Sequence, residues 1–248
     1  MPIRAVLWDI DDTIFDYAMA DRTAVLEHLR AEGMLDGSGA EGAVLRRWRE
    51  VTAVHWARFE AKEVDFQGQR RGRVRAFLGE GASDAEADAW FARYLRHYEA
   101  AWELFPDAVP ALDGLTPGYR HGALSNSSNR NQDRKLRVLG VRDRFEVLVC
   151  ADDLGVSKPA AGAFHAACEA LGLEPGEVAY VGDKIDIDAC GARDAGLTGI
   201  WLDRAGAPGA APGGLPAGVT GVHRITGLDQ LAALLRGDTR FGAPSPIG

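Results

Sequence analysis

The chain has 248 residues, of which 46% are hydrophobic and 26% charged, and its formal net charge is −8. These values are typical of a globular protein with one large or two smaller domains, and the acidic balance argues against a general attraction to nucleic acid or to an anionic membrane. The 3 cysteines are scattered and the 6 histidines lack metal-ligand spacing, so neither a disulfide framework nor a zinc site is indicated. We expect a cytoplasmic protein, monomeric or homodimeric, with no nucleic-acid or membrane partner.

The first element is a short apolar strand. Residues 3–8 form a mostly apolar run that ends at Asp9, which suits a strand buried on both faces of a parallel sheet. Residues 16–103 instead carry apolar side chains at helical spacing within long polar stretches, with breaks at 33–42 and 79–83. This segment is predicted to be a separate helical domain of about four helices.

Beyond residue 104 the pattern of strands and helices resumes. It predicts helices near 107–114, 128–139, 159–171 and 227–236, a helix that ends at Ala195, and strands at 120–125, 145–150, 178–181 and 199–202. The alternation predicts an α/β fold: a Rossmann-like doubly wound parallel sheet, residues 1–15 and 104–240, with an inserted all-α domain, residues 16–103. Within the core a long loop is expected at 203–221, and residues 241–248 are expected to form a flexible tail.

Polar side chains follow four of the predicted strands. Since ligands of parallel α/β sheets bind beyond the carboxyl ends of the strands, these side chains are candidate site residues. They are Asp9, Asp11 and Thr13 after the first strand, Ser125 and Asn126 after the second, Lys158 beyond the third, and Asp183 with Asp188 after the fourth.

These residue types suit phosphoryl transfer. A carboxylate such as Asp9 can attack phosphorus and form an aspartyl phosphate, which divides one difficult displacement into two easier ones. The anionic substrate requires positive charge, which Mg²⁺ held by carboxylates and the ammonium group of Lys158 would supply. The hydroxyl of Ser125 can bind the phosphoryl oxygens, and Asp11 can serve as general acid and base.

The segments DIDDT, LSNS, SKP and GDKIDID resemble, in order, the four signature motifs of the haloacid dehalogenase (HAD) superfamily. The helical insert after the first motif resembles a C1-type cap. The resemblance implies a Mg²⁺-dependent phosphatase that hydrolyses a small-molecule phosphomonoester through an aspartyl phosphate. The implied roles are Asp9 as nucleophile and metal ligand, Asp11 as acid/base and main-chain ligand, Thr13 as support of the substrate loop, Ser125 and Asn126 as phosphate contacts, Lys158 as the cation beside nucleophile and phosphate, Asp183 as metal ligand, and Asp188 as ligand or holder of metal-bound water.

Two positions depart from the commonest pattern of the superfamily. Asp12 stands where many members have glycine, and this resembles a DDT-type branch with phosphatases for nucleotides, flavin mononucleotide and acylated sugar phosphates. Lys184 follows Asp183 where a small polar residue is usual, and we expect its side chain to point to solvent.

Other functions remain open alternatives. A sugar phosphomutase shares all four motifs, and a non-catalytic protein that binds a phosphorylated metabolite would use the same fold. A dehalogenase would not need Asp11, and a phosphonate hydrolase of the superfamily needs a cap lysine, for which the insert offers Lys62. The sequence contains neither a Walker A loop nor a G-x-G-x-x-G loop after a strand, which argues against an ATPase and a dinucleotide enzyme.

The insert also contains a basic run with Arg70, Arg71, Arg73 and Arg75. These arginines form either a solvated helix face or a site for an anionic part of the substrate. The insert is expected to close over the active site and to select small substrates. Its aromatic residues, including Trp56, Phe59 and Phe66, are expected to form a helix core.

Overall fold

The computed structural model describes residues 1–35, 39–206 and 214–237, and it divides the chain into two compact units. Met1–Asp16 and Glu103–Gly248 form the first, called here the α/β unit, and Tyr17–Trp102 form the helical unit. The expected tail at 241–248 and the middle of the expected loop at 203–221 lie outside the described residues.

The described residues of the α/β unit form one sheet of six parallel strands. Its strands are β1 Ala5–Trp8, β2 Arg120–Ser125, β3 Val147–Cys150, β4 Val178–Gly182, β5 Thr198–Leu202 and β6 His223–Ile225. The spatial order is β3-β2-β1-β4-β5-β6, so the order reverses at β1, where β2 and β4 flank it. All four side chains of β1 are buried, as expected for a central strand covered on both faces. The prediction of a Rossmann-like doubly wound sheet is confirmed.

The helical unit, as far as its residues are described, contains four long helices. They are α1 Tyr17–Ala31, α2 Glu41–Glu60, α3 Phe66–Leu78 and α4 Asp84–Ala100. Trp48, Trp90 and Tyr94 lie in its core. Local caps start two of the helices: the Asp65 carboxylate accepts a hydrogen bond at the start of α3, and Ser83 forms a capping box at the start of α4. Across the described residues of both units, we find no helix that combines the length and the hydropathy of a membrane span.

Along the chain, the helices of the α/β unit lie between successive strands, except the last, which follows β6. They are α5 Ala108–Leu115, α6 Asn129–Val138, α7 Ala151–Leu154, α8 Ala161–Leu171, α9 Gly191–Asp194 and α10 Leu231–Leu235. A π-helical turn, Ile185–Cys190, precedes α9, so the helix predicted to end at Ala195 is divided. Sequence reasoning missed α7 and the edge strand β6, because each is only three or four residues long.

Candidate active site

The site forms where β1, β2 and β4 end. Asp9 follows the last residue of β1, and its carboxylate Oδ1 accepts a hydrogen bond from Lys158 Nζ at 2.7 Å. Both side chains are buried, with 7% of Asp9 and 4% of Lys158 exposed. Thr13, which is fully buried, donates its hydroxyl to Asp9 Oδ2 at 3.3 Å. The Asp9 carboxylate is therefore held on both oxygens.

Asp188 and Tyr180 complete the surroundings of the Lys158 ammonium group. Lys158 Nζ donates to Asp188 Oδ1 at 2.7 Å and to the Tyr180 hydroxyl at 2.6 Å. The Tyr180 hydroxyl in turn donates to the main-chain oxygen of Leu124 at 3.1 Å. Burial alone lowers the pKa of Lys158, but the adjacent carboxylates of Asp188 and Asp9 raise it well above its usual value. Lys158 therefore stays charged.

Asp183 lies directly after β4, next to a glycine that the site requires. A Cβ atom on Gly182 would lie 2.4 Å from Asp188 Cγ, which is far inside van der Waals contact. Glycine at this position lets the Asp188 side chain pass close to the strand, where its Oδ2 accepts from the main-chain N–H of Lys184 at 2.9 Å. The Lys184 side chain itself is exposed.

The carboxylates of Asp9, Asp183 and Asp188 converge. One oxygen from each lies within 4.8 Å of the others. Burial, together with the charges of Asp9 and Asp188, raises the pKa of Asp183 to about 8. Burial also raises the pKa of Asp9 to about 6, although Lys158 opposes this shift. The cluster thus holds more negative charge than its lysine balances.

These residues fit a divalent cation. Asp183 Oδ1 is buried and has no hydrogen-bond partner among the described residues, so it is a free oxygen ligand. The donors are all oxygens, which Mg²⁺ prefers. Both carboxylate oxygens of Asp188 already accept hydrogen bonds. Oδ1 of Asp183 accepts none from the described residues and is available to a cation.

Asp11 is held by two residues of α6. Lys135 Nζ forms an ion pair with Asp11 Oδ1, and Gln132 Nε2 donates to Asp11 Oδ2 at 2.7 Å. The Gln132 and Lys135 side chains are buried, while one third of the Asp11 side chain is exposed. Asp11 therefore has a defined position and still faces solvent.

Ser125, at the end of β2, accepts two hydrogen bonds. Gln132 Nε2 donates to its Oγ at 3.0 Å, and the main-chain N–H of Ser127 donates at 3.3 Å. With both lone pairs of the hydroxyl engaged, its proton remains available as a donor. This is the property that a phosphoryl oxygen requires of Ser125.

Asn126 has both polar ends of its side chain engaged with Lys158. Its Nδ2 donates to the main-chain oxygen of Lys158 at 2.9 Å, and its Oδ1 accepts from the main-chain N–H of Lys158 at 2.8 Å. The sequence predicts a phosphate contact for Asn126, and in the structure its amide holds the main chain of Lys158. Lys158 itself lies eight residues after β3, beyond α7, rather than at the strand end.

The backbone of Asp12 explains why aspartate can replace glycine there. Its φ is 62°, in the left-handed region that glycine adopts freely and that aspartate tolerates better than most residues. The loop continues to Thr13, whose main-chain oxygen accepts from Arg204 Nη2 at 2.9 Å. Arg204 also forms an ion pair with Asp107 at 2.9 Å, so it anchors the end of the loop.

Sequence reasoning missed Gln132, Lys135, Tyr180 and Arg204. Tyr180 left a signal, because a tyrosine inside an otherwise apolar buried strand needs a partner for its hydroxyl. Gln132 and Lys135 are three residues apart on α6, one face of a helix that follows Ser125, but many solvated helix faces have the same pattern.

The basic run of the helical unit is divided by the structure. Arg71 and Arg75 form ion pairs with acidic residues of α4, whereas Arg70 and Arg73 pack against aromatic rings. The aromatic residues Trp56, Phe59 and Phe66 are half-buried, and the Phe59 ring contacts the other two. The core cluster around Trp48 and Trp90 does not include them.

Comparison with known proteins gives three findings. The haloacid dehalogenase-like hydrolase family model matches residues 3–196. A glyceraldehyde 3-phosphate phosphatase of Methanopyrus kandleri is 32% identical over 206 residues, which cover 82% of this chain and 84% of the relative. A phosphoserine phosphatase of Thermus thermophilus is 28% identical over 223 residues, which cover 82% and 89%.

The fold is similar to that of a HAD hydrolase of Bacillus subtilis whose crystal structure contains magnesium. The TM-score is 0.76 at 22% sequence identity, and the likeness covers 95% of this chain and 99% of that one. At this identity the likeness concerns the fold alone.

Proposed function

The chain belongs to the haloacid dehalogenase-like hydrolases and is a phosphoric monoester hydrolase, and on that premise we propose that it uses Mg²⁺ and an aspartyl phosphate on Asp9 to hydrolyse a small phosphorylated metabolite. The observation that carries the proposal is the Asp9 carboxylate at the end of the central strand, 2.7 Å from the ammonium group of Lys158. A second carboxylate, Asp11, is held two residues away by Lys135 and Gln132.

In the first step a carboxylate oxygen of Asp9 forms a bond to phosphorus while the ester P–O bond breaks. The leaving alkoxide takes a proton from Asp11, which acts as general acid. Lys158 holds Asp9 in position and neutralises part of the charge on the phosphoryl group. The Ser125 hydroxyl donates a hydrogen bond to a phosphoryl oxygen.

In the second step a water molecule attacks the phosphorus of the aspartyl phosphate. The Asp11 carboxylate takes the proton of this water, the bond to Asp9 breaks, and inorganic phosphate leaves. Lys135 and Gln132 hold the Asp11 side chain in position for this proton transfer.

Asp9, Asp183 and the main-chain oxygen of Asp11 would hold the metal, with Asp188 as a ligand or as the holder of a metal-bound water. When bound, Mg²⁺ supplies positive charge that stabilises the phosphoryl oxygens. The charge count supports this assignment. The carboxylates of Asp9, Asp11, Asp183 and Asp188 stand against the ammonium groups of Lys135 and Lys158, and a divalent cation balances the difference.

The substrate belongs to the class of small soluble esters such as nucleotides, flavin mononucleotide and sugar phosphates. The two relatives are phosphatases of glyceraldehyde 3-phosphate and of phosphoserine, which supports a small substrate for this chain. We assign selection of the substrate to the helical unit as a cap. The chain leaves the α/β unit after Asp16, three residues beyond Thr13, and returns to it at Glu103. The main-chain N–H of Asp16 donates to the main-chain oxygen of Glu103 at 3.0 Å, so the two connections are adjacent.

The test is a screen of phosphate esters with Mg²⁺, together with p-nitrophenyl phosphate as a generic substrate. Asp9→Asn should lower hydrolysis by roughly a thousandfold or more, because the covalent step is lost. Asp186→Asn is the matched control, since Asp186 is an exposed carboxylate in the turn that follows Asp183, and it should keep wild-type activity. Transfer of phosphate between sugar positions without release would identify a mutase instead, and more than about a tenth of wild-type activity in Asp9→Asn would exclude Asp9 as the nucleophile.

A further inference from the structure

Helix α3 carries four arginines, and among the described residues only two of them have a carboxylate within hydrogen-bond distance. Arg71 binds Asp88 through Nε at 2.8 Å and Nη2 at 2.6 Å, and it binds Asp84 through Nη1 at 2.7 Å. Arg75 also forms an ion pair with Asp84. This pair of arginines thus joins α3 to the start of α4.

The guanidinium group of Arg73 is buried with too few hydrogen-bond acceptors around it. Only 5% of it is exposed, and its Nε and Nη2 have no hydrogen-bond partner in the described part of the chain. The adjacent carboxylate oxygen, Asp21 Oδ1, lies 4.0 Å from Nη2, beyond hydrogen-bond distance. That oxygen already accepts from Trp48 Nε1 at 3.0 Å and from the Tyr94 hydroxyl at 2.5 Å.

Arg70 lies one turn before Arg73 on the same helix face. Its guanidinium carbon is 4.3 Å from the ring centre of Phe66 and 5.1 Å from that of Phe91, and that of Arg73 is 5.2 Å from the Phe91 ring. Residues 1–35, 39–206 and 214–237 provide no ion pair or hydrogen bond for Arg70, and its side chain is partly exposed. Burial, and then the charge of Arg73, lower its pKa.

Two guanidinium groups therefore share the Phe91 ring, Nε and Nη2 of Arg73 are buried without acceptors, and Arg70 has no acceptor among the described residues. Cation–π attraction stabilises each charge, but a ring face replaces neither a carboxylate nor a water molecule as an acceptor. A bound anion would satisfy these N–H groups and would remove the repulsion between Arg70 and Arg73.

We propose that Arg70 and Arg73 form a binding site for a small carboxylate in the helical unit. A carboxylate is planar and accepts two parallel N–H bonds from a guanidinium fork. Asp21 offsets one of the two positive charges, so a monoanion balances the other. The half-buried rings of Phe59 and Phe66, with centroids 5.7 Å apart, provide an apolar surface beside Arg70 for the carbon atoms of the ligand.

Two sources supply this chemistry. The carboxylate belongs either to the phosphate ester that the enzyme hydrolyses or to a separate small acid that binds the helical unit. Only the first source rests on the proposed function, so binding and catalysis are measured separately.

Binding is tested on the full chain by NMR of the arginine Nε–Hε groups, with D-glycerate as the probe and glycerol as its uncharged counterpart. D-glycerate should shift the Nε–Hε signal of Arg73, and glycerol should not. Arg70→Ala should weaken this binding roughly tenfold or more, because a hydrogen bond to a charged group is lost. Arg71→Ala, which removes a paired arginine of the same helix, should leave the affinity unchanged.

The source is tested with phosphoglycerate and glycerol phosphate, which differ in the carboxylate. If the ester carries the carboxylate, Arg70→Ala lowers kcat/KM for phosphoglycerate roughly ten- to a hundredfold and spares glycerol phosphate. If a separate acid binds, free D-glycerate changes the hydrolysis of p-nitrophenyl phosphate by the wild type but not by Arg70→Ala.

The outcomes distinguish the two proposals. Absence of any D-glycerate-induced shift in the wild type, or equal affinity in wild type and in the folded Arg70→Ala and Arg73→Lys variants, overturns the carboxylate site. Arg73→Lys keeps the buried positive charge and removes the planar pair of N–H donors. It therefore tests the guanidinium geometry in a protein that still folds. Glycerate binding in a chain that hydrolyses no phosphate ester would support the site and refute the hydrolytic mechanism alone.

Discussion

Gly182→Ala should damage both the stability and the activity of the protein. The added Cβ would lie 2.4 Å from Asp188 Cγ and 2.5 Å from its Oδ2. Carbon atoms in contact stay about 3.5 Å apart, so the Asp188 carboxylate must move by about 1 Å. It cannot do so freely, because it accepts from Lys158 at 2.7 Å and from the Lys184 N–H at 2.9 Å.

The magnitude follows from these contacts. Loss of a charge-assisted hydrogen bond costs about 1.5–3 kcal/mol, and overpacking costs about 1–3 kcal/mol. Alanine recovers about 0.5–1 kcal/mol of the entropy that glycine loses in a strand. We therefore expect the free energy of unfolding to fall by about 1.5–5.5 kcal/mol. We expect kcat to fall roughly a hundredfold, because a displacement of about 1 Å misplaces Lys158 and Asp9.

Urea unfolding and hydrolysis of p-nitrophenyl phosphate measure the two effects. Gly114→Ala is the control, since Gly114 lies in α5 of the same unit and its Cβ would meet nothing within 4 Å. This variant should be more stable than wild type by about 0.5–1 kcal/mol and fully active. A Gly182→Ala protein with wild-type stability and activity within a factor of about two would refute the reasoning.

Three further predictions concern the same site. Asn126→Ala removes both hydrogen bonds to the main chain of Lys158 and should lower kcat roughly ten- to a hundredfold in steady-state assays; unchanged kcat would show that other contacts hold the lysine. Tyr180→Phe leaves Lys158 Nζ with one partner fewer and should lower the free energy of unfolding by about 1–2 kcal/mol, measured in urea; equal stability would contradict this. Because burial raises the pKa of Asp183 to about 8 and the metal binds the deprotonated carboxylate, calorimetry on chelator-treated protein should show Mg²⁺ affinity rising between about pH 6 and 8; a pH-independent affinity would exclude Asp183 as the titrating ligand.

The sheet could be predicted from the sequence because its strands are apolar runs that end in distinctive residues. β2 lies at 120–125 as expected, and Asp9 and Asp183 directly follow their strands. Strand ends of a parallel sheet lie at one edge, so the approach of Asp9 to Asp183 follows from topology alone.

The parts that the sequence did not predict depend on tertiary contacts. Lys135 and Gln132 have no motif, and their role arises only because α6 places them beside Asp11. The hydrogen bonds of Asn126 depend on the path of a loop 32 residues later in the chain, which no local pattern encodes. The pairing of Arg71 with Asp88 likewise depends on how α3 packs on α4.

The contacts of Lys158 have a consequence for how this enzyme can diverge. Its main chain is held by Asn126 after β2, and its ammonium group by Asp9 after β1 and by Tyr180 and Asp188 in and after β4. None of these anchors lies on β3 or in the segment 151–157 that leads to the lysine. The position of the Lys158 ammonium group therefore does not depend on the length of segment 151–157. Insertions near Gly155 can change the surface beside the site during evolution and leave the contacts of Lys158 unchanged.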